Sequence, residues 1–167
     1  MLKLNILHVL AILGAIGAAI ALRREVRGRS LTPGRLFLAP ICALGVAFVL
    51  LALTDFEWRQ PNLWLGALGT GLAAGTMRGW FSPLEVDRLW DRLRVGEARD
   101  GLWIGYLLGA VSLAAMAIDM AVHMMAGPYD LVGNLVAALC AGFLSGRAAL
   151  LWLRSLGAPH ATSGRAL

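Results

Sequence analysis

Five long apolar stretches, separated by short charged connections, constrain the fold of this chain more than any other feature of its sequence. They occupy residues 4–22, 36–54, 63–81, 102–125 and 131–153. An α-helix needs about 20 mostly apolar residues to cross the ~30 Å hydrocarbon core of a bilayer. We therefore expect an all-α integral membrane protein, folded as one bundle of five transmembrane helices over residues 1–156.

Composition excludes two other classes of protein. Hydrophobic residues make up 59% of the 167 residues and charged residues only 15%, whereas soluble domains carry about 25% charged residues. A disordered chain is excluded because low hydrophobicity is its signature, and a single soluble domain because too little polar surface is left to cover it. The net charge of +5 is explained by a membrane topology, so we expect the lipid bilayer, not nucleic acid, as a partner.

The cations alternate between connections and predict an orientation. Residues 23–35, 78–99 and 147–165 carry thirteen of the fifteen Lys and Arg residues, and Lys3 and Arg59 are the other two. Cytoplasmic loops are enriched in Lys and Arg. We therefore expect a bacterial inner-membrane protein with its N-terminus outside and its C-terminus in the cytoplasm. In an alternative four-span interpretation, the last two stretches form a re-entrant hairpin around Gly127-Pro128-Tyr129-Asp130.

The third connection shows the pattern of a helix of its own. Ser82, Pro83 and Glu85 match an N-cap, a proline at the first helical position and a capping box. Apolar residues then recur at helical spacing, and charged residues fill the other positions. We predict an amphipathic interfacial helix over residues 83–95 on the cytoplasmic side. Residues 157–167 are predicted to form a flexible cytoplasmic tail.

Small residues recur every four positions in three of the stretches. The positions are Ala67, Gly71 and Gly75, then Gly101, Gly105 and Gly109, and finally Gly142 and Gly146. Such residues let transmembrane helices approach closely. Two interpretations stay open: tight packing within this chain, or docking of another membrane subunit.

The fourth stretch contains the most unusual polar residues. Asp119 and His123 are four positions apart, and Met120 lies between them. An ionisable group inside a span is a candidate functional residue. The predicted topology puts His8 at similar depth, so His8 and His123 could ligate haem or a chlorin, and His123, Asp119 and Met120 could bind copper. The alternatives are a structural Asp119–His123 hydrogen bond and no cofactor at all.

Two asparagines extend this group of polar residues. Asn5 and Asn134 also lie near predicted outer ends, where they would form a polar cluster with Asp119 and His123. The sequence contains no nucleophile–base pair, phosphate-binding loop or zinc motif, so we do not expect an enzyme.

Two segments resemble a known family. The run Arg23-Arg24-Glu25-Val26-Arg27-Gly28-Arg29-Ser30-Leu31-Thr32-Pro33-Gly34-Arg35 is similar to the first cytoplasmic loop of small CcdC-like bacterial membrane proteins. The glycine-rich stretch from Leu65 to Arg78-Gly79 resembles their later span. The likeness covers residues 1–79 and implies a polytopic protein linked to cytochrome c maturation. It carries no catalytic residues.

These observations lead to three functional hypotheses. The first is a non-catalytic accessory subunit or assembly factor of a bacterial inner-membrane complex, bioenergetic or cytochrome-related, with other membrane subunits as partners. The second is a haem-, chlorin- or copper-binding membrane protein that uses His8, Asp119 and His123. The third is a small-solute transporter whose outer polar cluster binds the solute.

The topology can be tested by cysteine labelling. In a background with both native cysteines replaced by alanine, a single cysteine at Asp130 should react with an impermeant maleimide on intact cells. A single cysteine at Arg92 should react only after the cells are opened, because a cytoplasmic loop is shielded by the membrane. Labelling of both positions from the same side would contradict the five-span topology.

Overall fold

The computed structural model describes residues 6–26, 33–82, 84–87, 92–95, 99–121 and 126–157. The elements, in chain order, are α1 (Ile6–Val26), α2 (Pro33–Leu36), α3 (Leu38–Leu53), a 3-10 turn (Phe56–Trp58), α4 (Pro61–Phe81), β1 (Leu84–Asp87), β2 (Arg92–Val95), α5 (Asp100–Ala121) and α6 (Ala126–Gly157). The fold is almost entirely helical, as the apolar stretches predict.

Four helical segments are long and apolar enough to cross a membrane. They are Ile6–Val26, Gly34–Leu53, Asp100–Met120 and Pro128–Gly157. This agrees with the prediction of a membrane protein built from transmembrane helices. Because α5 and α6 each meet the criterion separately, a re-entrant hairpin is not needed to explain them. Helix α4 is equally long at 21 residues, but its glycines, threonines and Arg78 make it less apolar than these four.

The five long helices run alternately up and down. At one end, which we call the cavity end, His8 near the start of α1 approaches Asp119 near the end of α5. Also at this end, Asn134 of α6 bonds to Thr54, which follows α3. At the other end, the arginine end, Glu25 of α1 pairs with Arg147 of α6. Consecutive long helices are therefore antiparallel.

Helix α1 contributes a heptad-spaced buried face. Its buried residues are His8, Ala11, Ala15, Ala18, Leu22 and Glu25, which alternate three and four positions apart and so lie on one side of the helix. Helix α1 packs against α3 and α5 through this face, and α6 packs against α3, α4 and α5. The alanines allow close packing in the middle of the bundle, and the two polar residues lie at its ends.

A short break separates α2 from α3 at Phe37. Pro40 is buried four residues after Leu36. A proline has no N–H and its ring clashes with the carbonyl group four residues earlier, which explains why the helix is interrupted there. Helix formation resumes at once, because Ile41 donates to the Phe37 carbonyl oxygen at 3.0 Å.

The predicted amphipathic helix over residues 83–95 is wrong. The described residues of this segment form an antiparallel hairpin that pairs Leu84 with Val95, Glu85 with Arg94, Val86 with Leu93 and Asp87 with Arg92. The sequences LEVD and RLRV alternate apolar and charged residues, which is the period of a strand. Residues 83 and 88–91 lie outside the described residues.

Helix α6 begins earlier than the sequence predicts. The expected outer turn at residues 127–130 is part of its first turns, because α6 starts at Ala126. Pro128 is tolerated there, since the first N–H groups of a helix have no partner within the helix. The helix then continues to Gly157, beyond the predicted end at residue 153. Most of the predicted tail, residues 158–167, lies outside the described residues.

Glycines bring the backbones of α4 and α6 into direct contact. A Cβ atom added to Gly71 or Gly75 would collide with the backbone of Leu139 or Phe143, respectively. The contact is reciprocal, because Cβ atoms on Gly142 and Gly146 would collide with the carbonyl groups of Leu68 and Leu72. This face of α4 is therefore occupied by the chain's own last helix.

An arginine closes the end of this helix pair. Arg154 Nη1 on α6 donates to the carbonyl oxygens of Gly79, Trp80 and Ser82 at 2.7, 2.9 and 2.8 Å. The last carbonyl groups of a helix have no partner within the helix, and a cation there also stabilises the helix dipole. Arg154 therefore supplies the C-terminal cap of α4 from a neighbouring helix.

The glycine contact predicts a sharp difference between two single-methyl substitutions. Gly75→Ala should lower the free energy of unfolding by about 1–3 kcal/mol or more, because backbone must move to admit the methyl group. Gly69→Ala is the matched control on the same helix, since nothing lies within 4 Å of its added Cβ atom. It should be neutral or slightly stabilising. Denaturant titration in detergent measures both, and equal stability of the two variants would contradict the packing.

Candidate functional site

A polar cavity of about 140 Å³ lies at the cavity end of the bundle. It is lined by His8, Leu50, Leu53, Thr54, Ala115, Asp119, Asp130, Gly133 and Asn134. Four helices position these residues: α1, α3 with its C-cap, α5 and α6. The residues that line the cavity carry carboxylate, amide, hydroxyl and imidazole groups as well as aliphatic groups.

His8 and Asp119 face each other across this cavity. His8 is 6% exposed, and its Nε2 atom lies 3.8 Å from Asp119 Oδ2. That separation exceeds a direct hydrogen bond, but it is short enough for attraction when the imidazole is protonated. The Asp119 side chain is 42% exposed, so one carboxylate of the cavity reaches the surface.

Asn134 provides a buried acceptor. Its residue is 3% exposed, and its Nδ2 donates to Thr54 Oγ1 at 3.4 Å. Thr54 in turn donates to the Leu50 carbonyl oxygen at 3.0 Å. Asn134 Oδ1 is buried and has no hydrogen-bond partner among the described residues. A buried polar atom without a partner costs about 1–3 kcal/mol, so this oxygen has an unused capacity to accept a hydrogen bond, in a residue that lines the cavity.

The end of α3 is fixed by an arginine beside the cavity. Arg59 Nη2 donates to the carbonyl oxygens of Ala52 and Thr54, each at 3.1 Å. These carbonyl groups belong to the last turn and C-cap of α3, where partners within the helix are missing. Arg59 therefore holds the backbone that presents the Thr54 hydroxyl, while its own side chain is not part of the cavity wall.

The arginine end contains a buried ion pair. Arg147 Nη2 donates to Glu25 Oε1 at 2.5 Å, and the two residues are 3% and 8% exposed. Gly101 leaves the space for the guanidinium, because a Cβ atom there would lie 2.9 Å from Arg147 Nη1. Arg147 Nε is buried and has no hydrogen-bond partner among the described residues.

The structure brings some of the predicted site residues together and separates others. Asp119 and Asn134 line one cavity, as the predicted polar cluster requires, while Asn5 and His123 lie outside the described residues. His8 is the described imidazole beside Asp119. Met120 is 44% exposed and does not line the cavity. Within the described part of the chain, no three His, Cys, Asp or Glu residues are grouped as a metal site would need.

The predicted packing residues have different surroundings. Gly71 and Gly75 contact α6, and Ala67 is partly buried against the core. Gly105 faces α1, where its added Cβ atom would lie 2.9 Å from Leu22 Cδ1, and Gly101 faces both Leu22 and Arg147. Nothing lies within 4 Å of a Cβ atom added to Gly109.

Sequence reasoning missed Thr54, Asp130 and Glu25. Thr54 was expected only as the last residue of the second span and Asp130 only in an outer connection, so their contribution to a cavity wall depends on tertiary packing. The pairing of Glu25 could have been predicted from the sequence. Glu25 continues the heptad-spaced face of α1 through Leu22, and it lies at the same predicted end of the bundle as Arg147. Comparisons with protein-family models, curated proteins and solved structures found no match.

We expect the loss of the buried ion pair to lower the free energy of unfolding more than the loss of an exposed one. Glu25→Leu should lower the free energy of unfolding by about 3–5 kcal/mol, because Arg147 would stay buried without its counter-charge. The double variant Glu25→Leu/Arg147→Met should recover most of that loss. Asp100→Asn is the control, since it disrupts the exposed pair with Arg78 and should cost at most about 1 kcal/mol.

Denaturant titration of the four proteins measures these differences. If Glu25→Leu were no less stable than Asp100→Asn, or if the double variant recovered nothing, the buried pair would not have the role assigned to it.

Proposed function

We propose that the chain is a five-span protein of the bacterial inner membrane that works as a non-catalytic accessory subunit or assembly factor of a larger membrane complex. The observation that carries this proposal is the outer face of α4. This face is unusually rich in small residues, and it points away from the rest of the bundle.

The antiparallel packing of α4 supports the fifth span. Its 21 residues correspond to about 31 Å of helix, which is the thickness of a hydrocarbon core. Trp64 near its start packs on Phe48 with ring centroids 5.1 Å apart. Arg78 near its end pairs with Asp100 at the start of α5. Helix α4 therefore extends between the same two ends as its neighbours.

The charges at the two ends support the proposed orientation. Among the described residues, the arginine end carries Arg23, Arg24, Arg35, Arg78, Arg99, Arg147 and Arg154. The described residues at the cavity end include one arginine, Arg59, and four carboxylates: Asp55, Glu57, Asp119 and Asp130. By the positive-inside rule, the arginine end is cytoplasmic and the cavity end faces outward.

The outer face of α4 consists of Gly66, Gly69, Thr70, Ala73 and Met77, all exposed. These positions lie on the side opposite the glycines that contact α6. The Thr70 hydroxyl donates to the Gly66 carbonyl oxygen at 2.8 Å, so its polarity is satisfied locally. Small side chains let a second transmembrane helix approach closely. The occupant we propose is an apolar transmembrane helix of another subunit.

The limited apolarity of α4 supports the same occupant. Among the described helices of at least 18 residues, α4 alone falls short of the apolarity needed for a membrane span by composition. Its principal contact within the chain is with α6, so its other side would face lipid in a monomer. A partner helix would cover glycine backbone that lipid covers less well.

Small-solute transport is the second candidate, and the polar cavity favours it. An outward-facing cavity with two carboxylates and a buried acceptor can bind a polar solute. For cofactor binding, the described residues give one observation: Met120 does not line the cavity, while His123 lies outside the described residues. A haem, chlorin or copper site that uses His8 stays a prediction from the sequence.

A photo-crosslinking amino acid at Ala73 tests the accessory role in native membranes. We expect a crosslink to one integral membrane subunit, identified by mass spectrometry, because Ala73 lies at the centre of the outer face. The same amino acid at Leu13, which is 58% exposed on α1, is the control and should capture lipid. Adding Gly69→Leu should abolish the Ala73 crosslink without reducing stability.

Two results would contradict the proposal. One is capture of lipid alone from both positions. The other is a crosslink from Ala73 to a second copy of this chain, which would identify the outer face as a self-association surface.

A further inference from the structure

We propose that the cavity at the outward end binds a small primary ammonium ligand, such as a protonated short-chain alkylamine. This inference stands on the cavity alone and does not depend on the accessory role of α4.

The carboxylates that line the cavity favour a cation as the ligand. Asp119 and Asp130 both line the cavity, and the titratable group beside them is the His8 imidazole. Among the residues that the structure describes, no lysine or arginine lines it, and the nearby Arg59 donates to the carbonyl groups of Ala52 and Thr54. Two carboxylates in a partly enclosed space attract a positive ligand and repel an anion.

The unpartnered oxygen of Asn134 selects a hydrogen-bond donor. Asn134 lines the cavity, its Oδ1 is buried and lacks a partner among the described residues, and its amide nitrogen donates to Thr54 Oγ1. A primary ammonium group has three N–H donors. It can donate to Asn134 Oδ1 and to the carboxylates at the same time, and bonds from a charged donor are the stronger kind.

The volume of the cavity and its aliphatic lining residues favour an organic cation as the ligand. One water takes about 30 Å³ of liquid volume, so 140 Å³ holds about four or five water-sized groups. Leu50, Leu53 and Ala115 also line the cavity, where a short alkyl chain can pack against them. A bare calcium ion would need six to eight oxygen ligands, and no grouping of three His, Cys, Asp or Glu exists among the described residues.

Calorimetric titration of the purified full chain in detergent at pH 7 with n-propylammonium chloride tests this assignment. We expect saturable binding that sodium chloride at equal ionic strength does not reproduce. 1-Propanol, which lacks the charge, and tetramethylammonium, which lacks N–H donors, should bind at least about tenfold more weakly, because each removes a charge-assisted hydrogen bond.

Matched variants locate the site. Asn134→Leu and Asp130→Asn should each raise the Kd for n-propylammonium about tenfold or more. Asn62→Leu and Glu57→Gln change exposed residues outside the cavity and should leave the Kd unchanged. Asp130 is only half-buried, so Asp130→Asn still tests the site if Asn134→Leu does not fold.

Three results would overturn the proposal. The first is heat no greater than that of sodium chloride. The second is an unchanged Kd in the folded cavity variants. The third is equal affinity for tetramethylammonium, which would show that charge alone, without donation to Asn134, explains the binding.

Discussion

The direct backbone contact between α4 and α6 is the constraint on which the arrangement of this bundle depends. Helix α6 is the central element, since α3, α4 and α5 all pack against it. At Gly75 and Gly146 the opposing backbone occupies the space that a side chain would need, so this register requires glycine at these positions. The same packing places Arg154 at the C-terminal end of α4, where it donates to the Gly79 carbonyl oxygen. Without a hydrophobic force between helices in lipid, such close packing supplies much of the association energy.

The two ends of the bundle are polar and the middle is not. His8 and Glu25 are the polar ends of one stripe on α1, and 17 residues of helix separate them by about 25 Å. Alanines fill the stripe between them, and α6 repeats the pattern with Ala137, Ala138 and Ala141 between Asn134 and Arg147. The described core therefore separates the polar cavity at one end from the Glu25–Arg147 ion pair at the other by an apolar layer, which favours binding at the cavity end over a polar path through the bundle.

The sequence predicted those features that depend on apolar length, and it failed where local pattern competes with packing. The long apolar runs were sufficient to predict a helical membrane fold. The segment after Ser82 fits a helix by its capping box and a hairpin by its alternation, and opposite charges in register accompany the hairpin. Asp119 was identified as unusual, but its neighbour His8 comes from a helix more than a hundred residues away. The predicted topology placed His8 at similar depth to Asp119, and tertiary packing brings the two side chains to within 3.8 Å of each other.

Glycine on both sides of α4 is the remaining feature that requires an explanation. Each glycine within a helix costs about 1 kcal/mol relative to alanine, so glycine is expected where close approach offsets that cost. Gly71 and Gly75 meet this condition, because a larger residue would collide with α6. Gly66 and Gly69 are exposed, and a methyl group at either would meet nothing within 4 Å. The physical reason that accounts for the inner pair would account for the outer pair if another helix approached that face, as the proposed accessory role requires. An isolated monomer would leave the helix-propensity cost of the outer pair without a compensating contact.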